Sequence, residues 1–406
     1  MERIIFHIDV NNAFLSWTAC DMLKKGASVD IREIASIIGG DEKQRKGIVL
    51  AKSEVAKKFG IKTAETIYQA RQKCNNLKMF PPDFRIYSYY SNAMYDILCD
   101  YSDKIERYSI DECFLDYTSM QRLYGNPLDC AKIIQKRIFD ELGFTVNIGI
   151  GNNKLLAKMA SDLQKPNKII TIWKSEIESK MWSLPVQELF MVGRKSIPKL
   201  NNLNMYKIGD LANANKALLV KVFGKMGEQM YNYANGIDDS VVNGERHEYK
   251  GIGNSITTNV NITDINIANN VILSICEYVC KRLRDEGMYT KCVNVHIKNS
   301  NFIVTSHQRK LKTSTNVTNQ IYDVAKQLLE EIWKGEPIRS FGVRLDDLTK
   351  YCDNQVSLFD NIEKVDKKSK LDMVIDKTRN KYGNSSIKRA VFIDSSVPHI
   401  LPKEEE

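Results

Sequence analysis

The chain has 406 residues, of which 43% are hydrophobic and 27% charged, and this predicts two to four ordinary globular domains. No apolar run approaches the ~20 residues that cross a bilayer, and the opening residues lack the hydrophobic stretch of a signal peptide, so we expect a cytoplasmic protein with no membrane partner. The nine cysteines include no C-x-x-C pair, which argues against disulfides or a zinc knuckle, and the net charge of +9 favours a polyanionic partner.

The first predicted strand, residues 4–8, is apolar and leads directly into Asp9. A helix should follow, because Asn12 can cap a segment whose apolar face includes Trp17 and Cys20. Residues 26–75 are mixed and polar, with a short predicted helix at 53–58.

Two further short strands, residues 105–108 and 113–117, alternate around a tight turn that carries Asp111 and Glu112. This turn would bring both acids close to Asp9. Burying an unpaired carboxylate costs several kcal/mol or neutralises it, so three neighbouring acids indicate a shared cation. Oxygen ligands with open positions suit Mg²⁺, which keeps water and substrate phosphates in its shell. The acids together predict a phosphoryl-transfer site, although Asp9 taken alone is better explained as an unrelated acid at a strand end.

A long helix at residues 127–142 and then a strand lead into a basic helix that ends before a proline. On this helix Lys154 and Lys158 lie about 40° apart, and Lys165, which precedes the proline, should leave the helix axis. Lysines on helices usually form a solvated surface. Beside a carboxylate–metal cluster, contact with a triphosphate becomes the better hypothesis.

Residues 185–212 predict two short helices joined by a turn that contains Gly193, Arg194 and Lys195. Backbone N–H groups and basic side chains in such a turn bind phosphates without reading sequence. A linker is predicted at residues 235–243.

Residues 249–350 alternate between strands and amphipathic helices, which predicts a compact α+β domain. The predicted strands are 293–297, 302–306 and 338–345, and the predicted helices are 271–284 and 318–333. Basic side chains on the strands indicate one strongly basic sheet face; they are Lys298, His307, Arg309, Lys310, Lys312 and Arg344. A lysine-rich segment, a last helix and strand, and an acidic end follow.

Four motifs occur in an order and at a spacing that resemble the Y-family DNA polymerases, lesion-bypass enzymes that include bacterial polymerase IV and the catalytic subunit of polymerase V. The motifs are Asp9 with Phe14, Ser109-Ile110-Asp111-Glu112, Asn153-Lys154-Leu155-Leu156-Ala157-Lys158, and Lys165-Pro166-Asn167. The resemblance covers residues 1–350 and implies an α+β multidomain right-hand polymerase. It implies a palm (1–25 and 75–165), fingers (26–74), a helical thumb (166–240), an α+β little-finger domain that binds DNA (245–350) and a C-terminal extension (351–406).

The resemblance also implies roles for individual residues. Asp9, Asp111 and Glu112 resemble the acids that bind two Mg²⁺ ions, with Mn²⁺ as a substitute, and the Val10 carbonyl resembles a further ligand; Asp111 and Glu112 would be catalytic. Two such ions activate a primer 3′-hydroxyl and stabilise the leaving pyrophosphate. Phe14 resembles the steric gate that excludes ribonucleotides, and its alternative is core packing on the first helix.

Triphosphate binding is implied for Lys165, Lys57 and Lys52. Lys57 stands where polymerase-IV-like members usually have arginine, so the bidentate fork is lost, and Lys52 can substitute for it. Glu54 stands where those members have an aromatic or apolar residue. Because a glutamate beside a triphosphate is repulsive, we expect Glu54 to point away. This stretch is closer to the polymerase-V-like branch.

We expect the chain to act as a monomer on primer–template DNA and deoxynucleoside triphosphates. The residues expected to contact DNA are Lys154, Lys158, Gly193, Arg194, Lys195, Arg309, Lys310, Lys312 and Arg344. In the thumb, Asn204 stands where the family often has a phosphate-binding glycine.

The segment Gln355-Val356-Ser357-Leu358-Phe359 resembles the peptide by which bacterial polymerases bind the sliding clamp. A shallow pocket would take Leu358 and Phe359 as apolar anchors, while Gln355 forms a hydrogen bond at its rim. The alternative is that the two apolar residues hold the tail on the protein's own surface.

Three other functions are compatible with parts of this pattern. A catalytically weak DNA-binding accessory protein of the same fold would be expected to lack one of the acids, and all three are present. Residues 39–42 resemble the signature of a nucleotide cyclase, but a lysine follows them instead of an aromatic residue, so a glycine-rich turn is the better explanation. A cyclase with a palm-like sheet would also need no thumb turn or basic C-terminal domain. A structural nucleic-acid-binding protein would explain the charge but not the buried acids.

Overall fold

The computed structural model describes residues 2–41, 47–244, 249–351 and 362–393. They form two compact units, of which the first contains residues 2–41 and 47–244 and the second contains residues 249–351 and 362–393. In the described residues, no helix is long and apolar enough to cross a membrane.

The first unit is mixed α/β. In chain order its elements are β1 (Ile5–Val10), α1 (Ala13–Lys24), β2 (Ser36–Gly39), β3 (Val49–Lys52), α2 (Glu54–Lys58), α3 (Ile67–Lys73), β4 (Lys78–Phe80), α4 (Phe84–Cys99), β5 (Ile105–Arg107), β6 (Glu112–Asp116), α5 (Gln121–Tyr124), α6 (Pro127–Leu142), β7 (Val146–Gly151), α7 (Lys154–Leu163), β8 (Ile169–Ile172), α8 (Ile177–Lys180), α9 (Ile197–Asn201), α10 (Ile208–Ala212), α11 (Lys216–Phe223) and α12 (Lys225–Ala234). Short 3-10 turns occur at Lys174–Glu176 and Val186–Glu188.

A five-stranded sheet in the order β5-β6-β1-β7-β8 forms the centre of this unit. The strand β1 pairs antiparallel with β6 and β7, and Asp9 lies opposite Glu112 on one side and Asn147 on the other. Because successive side chains of a strand point to opposite faces, Phe6 and Ile8 enter the large core formed with α1, α4 and α6. His7 and Asp9 therefore face the other side of the sheet, where α7 packs.

Two glycines of β7 allow α7 to lie very close to the sheet. A Cβ atom at Gly149 would stand 2.0 Å from the Ala157 carbonyl oxygen, and one at Gly151 would stand 2.7 Å from the Leu156 Cβ. The Asn153 side chain caps the start of α7 by accepting a hydrogen bond from the Leu156 N–H. The short distance between helix and sheet brings the polar side chains of α7 against those of β1 and β6.

Two smaller assemblies complete the first unit. A three-stranded sheet, β3-β2-β4, packs with α2 and α3 around a small core of its own. The helices from α8 to α12 form a separate helical cluster with the apolar face of α7.

The second unit contains β9 (Gly251–Ile262), α13 (Ile265–Asp285), β10 (Tyr289–Asn299), β11 (Val304–Thr315), α14 (Thr318–Ile332), β12 (Ile338–Thr349), α15 (Ile362–Tyr382) and a 3-10 turn at Ala390–Phe392. Its antiparallel sheet has the order β11-β10-β12-β9, and α13 and α14 pack on one face. The helix α15 is held by buried ion pairs, in which Arg284 contacts Asp372 and Asp376. Glu277 of α13 contacts both Arg379 and Arg389.

Most predicted elements are confirmed, including α6 at its predicted bounds. The helix pair at residues 185–212 differs, because the turn at 193–195 precedes α9 instead of joining it to α10. Pro198 in the first turn of α9 explains where that helix begins. The last predicted strand is not formed by the described residues, in which Ala390–Phe392 form a 3-10 turn, and the chain beyond residue 393 lies outside them.

Candidate active site

The candidate site lies between the sheet and α7, where polar groups meet in four pairs. On α7 the side chains of Lys154, Lys158 and Ser161 recur at intervals of four and three residues, so they share one face, and Lys165 follows just beyond the helix end. Each meets one polar side chain of the sheet. The pairs are Lys154 with Glu106, Lys158 with Glu112, Ser161 with His7, and Lys165 with Asp9.

Asp9 is buried in the middle of the sheet and has a cationic partner. The Lys165 ammonium donates a hydrogen bond to Asp9 Oδ2 and lies 2.9 Å from Asp162 Oδ1. Burial raises the pKa of Asp9 to about 6, and the charge of Lys165 opposes this rise. Burial would lower the pKa of Lys165, but its contacts with Asp9 and Asp162 raise it. The cation that stabilises this buried carboxylate here is the Lys165 ammonium, and the metal ion shared by the three acids stays a prediction.

Glu112 lies beside Asp9 and is in contact with two partners. Its Oε1 atom accepts a hydrogen bond from Lys158 at 3.1 Å, and its Oε2 atom lies 3.4 Å from His7 Nε2. Burial alone would raise the pKa of Glu112, but the contact with His7 and the charge of Lys158 outweigh it and lower the pKa to about 2. Glu112 therefore stays ionised at neutral pH.

Asp111 is joined to the same place through its backbone. The Val10 N–H donates to the Asp111 carbonyl oxygen at 3.1 Å, while the Asp111 carboxylate accepts a hydrogen bond from the Ser109 hydroxyl at 2.6 Å. Among the residues that the structure describes, no three acids, histidines or cysteines are close enough together to enclose an ion as they stand. The donor set nevertheless fits a hard divalent cation, because it consists of carboxylate and carbonyl oxygens with one deeply buried acid.

Phe14 is partly buried at the start of α1. Its ring stacks on Tyr87 with centroids 4.5 Å apart and meets Phe84 edge-on at 5.9 Å. This fixes the orientation of the ring. A fixed orientation is expected both of a steric gate and of a side chain that packs in the core. The role of Phe14 as a steric gate therefore stays a prediction.

The basic residues predicted at the fingers lie around α2. Lys52 donates to Thr63 Oγ1 at 3.2 Å, and burial lowers its pKa. Lys57 is exposed and lies 3.4 Å from Glu54. Glu54 accepts a hydrogen bond from Asn12 in the turn after β1, and its orientation relative to a bound triphosphate stays a prediction.

Lys154 and Lys158, which were expected to contact the triphosphate or DNA, are paired with acids of the sheet and do not lie on an open surface. Lys154 donates to both Glu106 oxygens at 2.7 Å, and Lys158 is only 8% exposed. The reason is the position of α7. The glycines of β7 let this helix lie close to the sheet, with the side of the helix that carries Lys154 and Lys158 turned toward the strands. Glu106 accepts a further hydrogen bond from the Asn243 N–H, so the predicted linker packs against this part of the first unit.

The predicted phosphate-binding turn is accessible. Gly193, Arg194 and Lys195 are exposed, and a Cβ atom at Gly193 would meet nothing within 4 Å. Asn204 has a φ angle of 58°, the left-handed conformation that favours glycine. Asn204 thus adopts a conformation in which glycine is favoured.

In the second unit, strand register separates the residues that were predicted to share one basic face. Arg309 lies opposite the core residue Val293, and it contacts Gln327 and Glu331 of α14. Arg309 therefore faces the helices, so its prediction as a DNA contact is wrong. Lys310 and Lys312 occupy the alternate positions and are exposed on the open face.

Two other predictions concern the ends of this region. Arg344 pairs with Gly253 in register, is exposed and lies 2.7 Å from Asp346. Gln355, Leu358 and Phe359 lie outside the described residues.

Sequence reasoning missed four buried polar residues at or near the interface between the sheet and α7. They are His7, Glu106, Asn147 and Ser161. His7 had a signal, since it precedes Asp9 by two residues and shares its face of the strand. Ser161 continues the spacing of Lys154 and Lys158, and that spacing alone pointed to it.

Comparison with known proteins agrees with this architecture. Residues 8–162 match the impB/mucB/samB family, residues 249–358 match the C-terminal domain of that family, and residues 187–238 match a model described as DNA polymerase-iota, thumb domain. A DNA polymerase IV of Clostridium acetobutylicum is 46% identical over 395 residues, covering 97% of this chain and 99% of its own length. A DNA polymerase IV of Clostridium kluyveri is 36% identical over 405 residues, covering 98% and 100%.

A solved Y-family DNA polymerase chimera has a TM-score of 0.75 and 25% identity, covering 86% of this chain and 100% of its own. The sequence of the fingers segment was closer to the polymerase-V-like branch. Both bacterial relatives are instead named DNA polymerase IV.

Proposed function

Because this chain belongs to the Y-family DNA polymerases of the impB/mucB/samB family, we propose that it is a lesion-bypass DNA polymerase that extends a primer 3′-hydroxyl under the direction of a template. The observation that carries the proposal is that Asp9 lies opposite Glu112 on neighbouring strands of the sheet. The Asp111 carbonyl oxygen accepts a hydrogen bond from the Val10 N–H at the same place. Nucleotidyl transfer needs acids gathered at one point.

Asp9, Asp111, Glu112 and the Val10 carbonyl would hold two divalent cations, Mg²⁺ or in its place Mn²⁺. When bound, such ions lower the pKa of the attacking hydroxyl and stabilise the charge on the leaving pyrophosphate. The protein's own part is to keep these oxygens fixed before the substrate arrives, which costs no reorganisation during the reaction. The pairing of β1 with β6 supports that part.

The triphosphate would lie between this site and α2, where cationic side chains are available. Lys165 already contacts Asp9, and its ammonium can bind a phosphate oxygen as a point charge. Lys52 and Lys57 would contribute from β3 and α2. The aromatic ring of Phe14 would exclude the 2′-hydroxyl of a ribonucleotide by shape.

DNA would be bound through its phosphates by two surfaces. One is the turn at residues 193–195 with its exposed backbone and basic side chains, and the other is the open sheet face with Lys310, Lys312 and Arg344. Such contacts are independent of sequence, which suits an enzyme that copies any template. The segment 355–359 would bind the sliding clamp.

A primer-extension assay on undamaged and abasic templates tests the proposal. The full chain should add the nucleotide complementary to each undamaged template base, continue past the abasic site, and stop when EDTA replaces Mg²⁺. Extension that ignores the template, or that persists in EDTA, would overturn the proposal. Conversion of a nucleoside triphosphate without primer or template would instead indicate a cyclase.

A further inference from the structure

A buried histidine lies behind the candidate catalytic acid. His7 is fully buried, its Nδ1 atom is 2.7 Å from the Ser161 hydroxyl oxygen, and its ring packs on Phe114 with centroids 4.6 Å apart. Its other nitrogen, Nε2, has no hydrogen-bond partner within the described part of the chain. The polar group that Nε2 faces is the Glu112 carboxylate, at 3.4 Å. A buried polar atom without a hydrogen bond is rare and calls for an explanation.

The charges at this point determine which nitrogen of His7 carries the proton. An ionised carboxylate favours an N–H over a lone pair, so the proton belongs on Nε2, facing Glu112. The Nδ1 atom is then an acceptor, and the Ser161 hydroxyl can donate to it. The Ser161 hydroxyl has a single proton, and the Lys158 carbonyl oxygen at 2.8 Å is its other possible acceptor. With the proton of a neutral His7 on Nε2, the hydroxyl proton goes to Nδ1 and not to that carbonyl oxygen. Hydrogen bonds to one imidazole nitrogen commonly set the state of the other in this way.

The two oxygens of Glu112 therefore have different neighbours. Oε1 accepts a hydrogen bond from Lys158, and Oε2 lies 3.4 Å from His7 Nε2, so one group from α7 and one from β1 flank the carboxylate. We propose that His7, oriented by Ser161, is a positioning residue that sets the rotation of the Glu112 carboxylate for binding a divalent cation. The alternative is that His7 and Ser161 only fasten α7 to the sheet. The inference rests on the proposed function, since it needs Glu112 to be a metal ligand.

Metal binding without catalysis separates these two roles. The full-length protein is titrated with Mn²⁺, and the free ion is measured by electron paramagnetic resonance in the absence of DNA and nucleotide. His7→Phe keeps the ring packing but removes both nitrogens, and it should weaken Mn²⁺ binding by about 10- to 100-fold, the usual effect of losing a group that orients a ligand. Ser161→Ala should weaken it in the same direction but by less.

Ser102→Ala is the matched control. The Ser102 hydroxyl is buried and donates to the Asp116 carbonyl oxygen at 2.7 Å, near the opposite end of β6 from Glu112. Like Ser161→Ala, the Ser102→Ala variant loses a buried hydroxyl that forms a hydrogen bond. It leaves the surroundings of Asp9, Asp111 and Glu112 unchanged. Its Mn²⁺ affinity should equal that of the wild type.

Steady-state kinetics supply a second measurement. His7→Phe should lower kcat for nucleotide addition and raise the Mg²⁺ concentration that gives half-maximal rate, while the KM for the nucleotide stays within about twofold, because the lysines that face the triphosphate are unchanged. His7→Gln, which can present an amide N–H toward Glu112, should restore part of the affinity for Mn²⁺.

The inference is overturned if His7→Phe and Ser161→Ala lower only the melting temperature and bind Mn²⁺ like the wild type. If His7→Phe does not fold, the Mn²⁺ affinity of Ser161→Ala is the deciding measurement. Wild-type affinity in that variant would show that His7 and Ser161 do not position Glu112 for metal binding. Failure of the wild type itself to bind Mn²⁺ or extend primers would instead refute the proposed function.

Discussion

The register of the second sheet leads to a prediction about two neighbouring basic residues. Arg309 and Lys312 differ in sequence position by only three residues, but they lie on opposite faces of β11. Arg309 is bonded to Gln327 and Glu331 on the helical side, whereas Lys312 is exposed on the open side. Lys312→Ala should therefore weaken DNA binding, and Arg309→Ala should leave it nearly unchanged.

The expected size follows from counterion release. Removing one phosphate contact reduces the slope of log K against log[salt] by about 0.9 for duplex DNA. Between about 50 mM and about 200 mM salt, the affinity loss caused by Lys312→Ala should thus shrink by about 3.5-fold, since a fourfold change in salt raised to the power 0.9 gives that factor. Arg309→Ala should show the wild-type slope.

Fluorescence anisotropy with a labelled primer–template, at four or more salt concentrations, measures both slopes. The stability of Arg309→Ala should fall by no more than about 1 kcal/mol, because its ion pair is at the surface, so the comparison is not limited by unfolding. An unchanged slope for Lys312→Ala, or a reduced slope for Arg309→Ala, would refute the assignment of the open face to DNA.

Three further outcomes are expected. Phe14→Ala should raise ribonucleotide incorporation while largely preserving deoxynucleotide addition, and equal loss of both activities would support core packing. Glu277→Ala should destabilise the attachment of α15 by about 3–5 kcal/mol, because it leaves the buried Arg379 charge without its carboxylate partner; hydrogen exchange of α15 amides should then speed up by at least about a hundredfold. Replacing Leu358 and Phe359 with alanine should abolish stimulation by the sliding clamp and leave unstimulated synthesis unchanged, whereas an equal fall in unstimulated synthesis would indicate a structural tail.

The Glu277 prediction has a matched control on the same helix. Asp285 forms an exposed pair with Lys281 at 2.7 Å. Asp285→Ala should therefore change the exchange of α15 very little. Equal exchange in both variants would mean that other contacts hold α15.

The sequence was informative wherever local chemistry decides the structure. The bounds of α6 followed from Asn126 as its cap, Pro127 in its first turn and Gly143 after its end. The proximity of the acids followed from a tight turn between two short strands, and β6 pairs with β1 as expected.

The sequence was uninformative where packing between elements decides which way a side chain points. The pairing of Lys154 with Glu106 was not predicted, because the helical period gives the angle of Lys154 but not the rotation of α7 against the sheet. Arg309 and Lys310 looked equivalent because both are basic residues of one predicted basic sheet face. The sequence does not show which residues of the neighbouring strand they pair with, and adjacent residues of a strand point to opposite faces of the sheet. The spacing of His7 from Asp9 showed that the two share a face of the strand, but it did not show that Ser161 and Glu112 would be the partners of His7.

The central claim, metal-dependent DNA synthesis at the acids of β1 and β6, is tested most directly by the single-turnover rate of the Asp111→Ala variant. Asp116→Ala is its control, because this aspartate lies at the opposite end of β6 and its carboxylate accepts a hydrogen bond from the Thr118 N–H at 2.9 Å. With saturating Mg²⁺, DNA and nucleotide, Asp111→Ala should be slower than the wild type by on the order of a thousand-fold or more, and Asp116→Ala should extend the primer at a wild-type rate. Wild-type extension by Asp111→Ala would contradict the assignment of the active site.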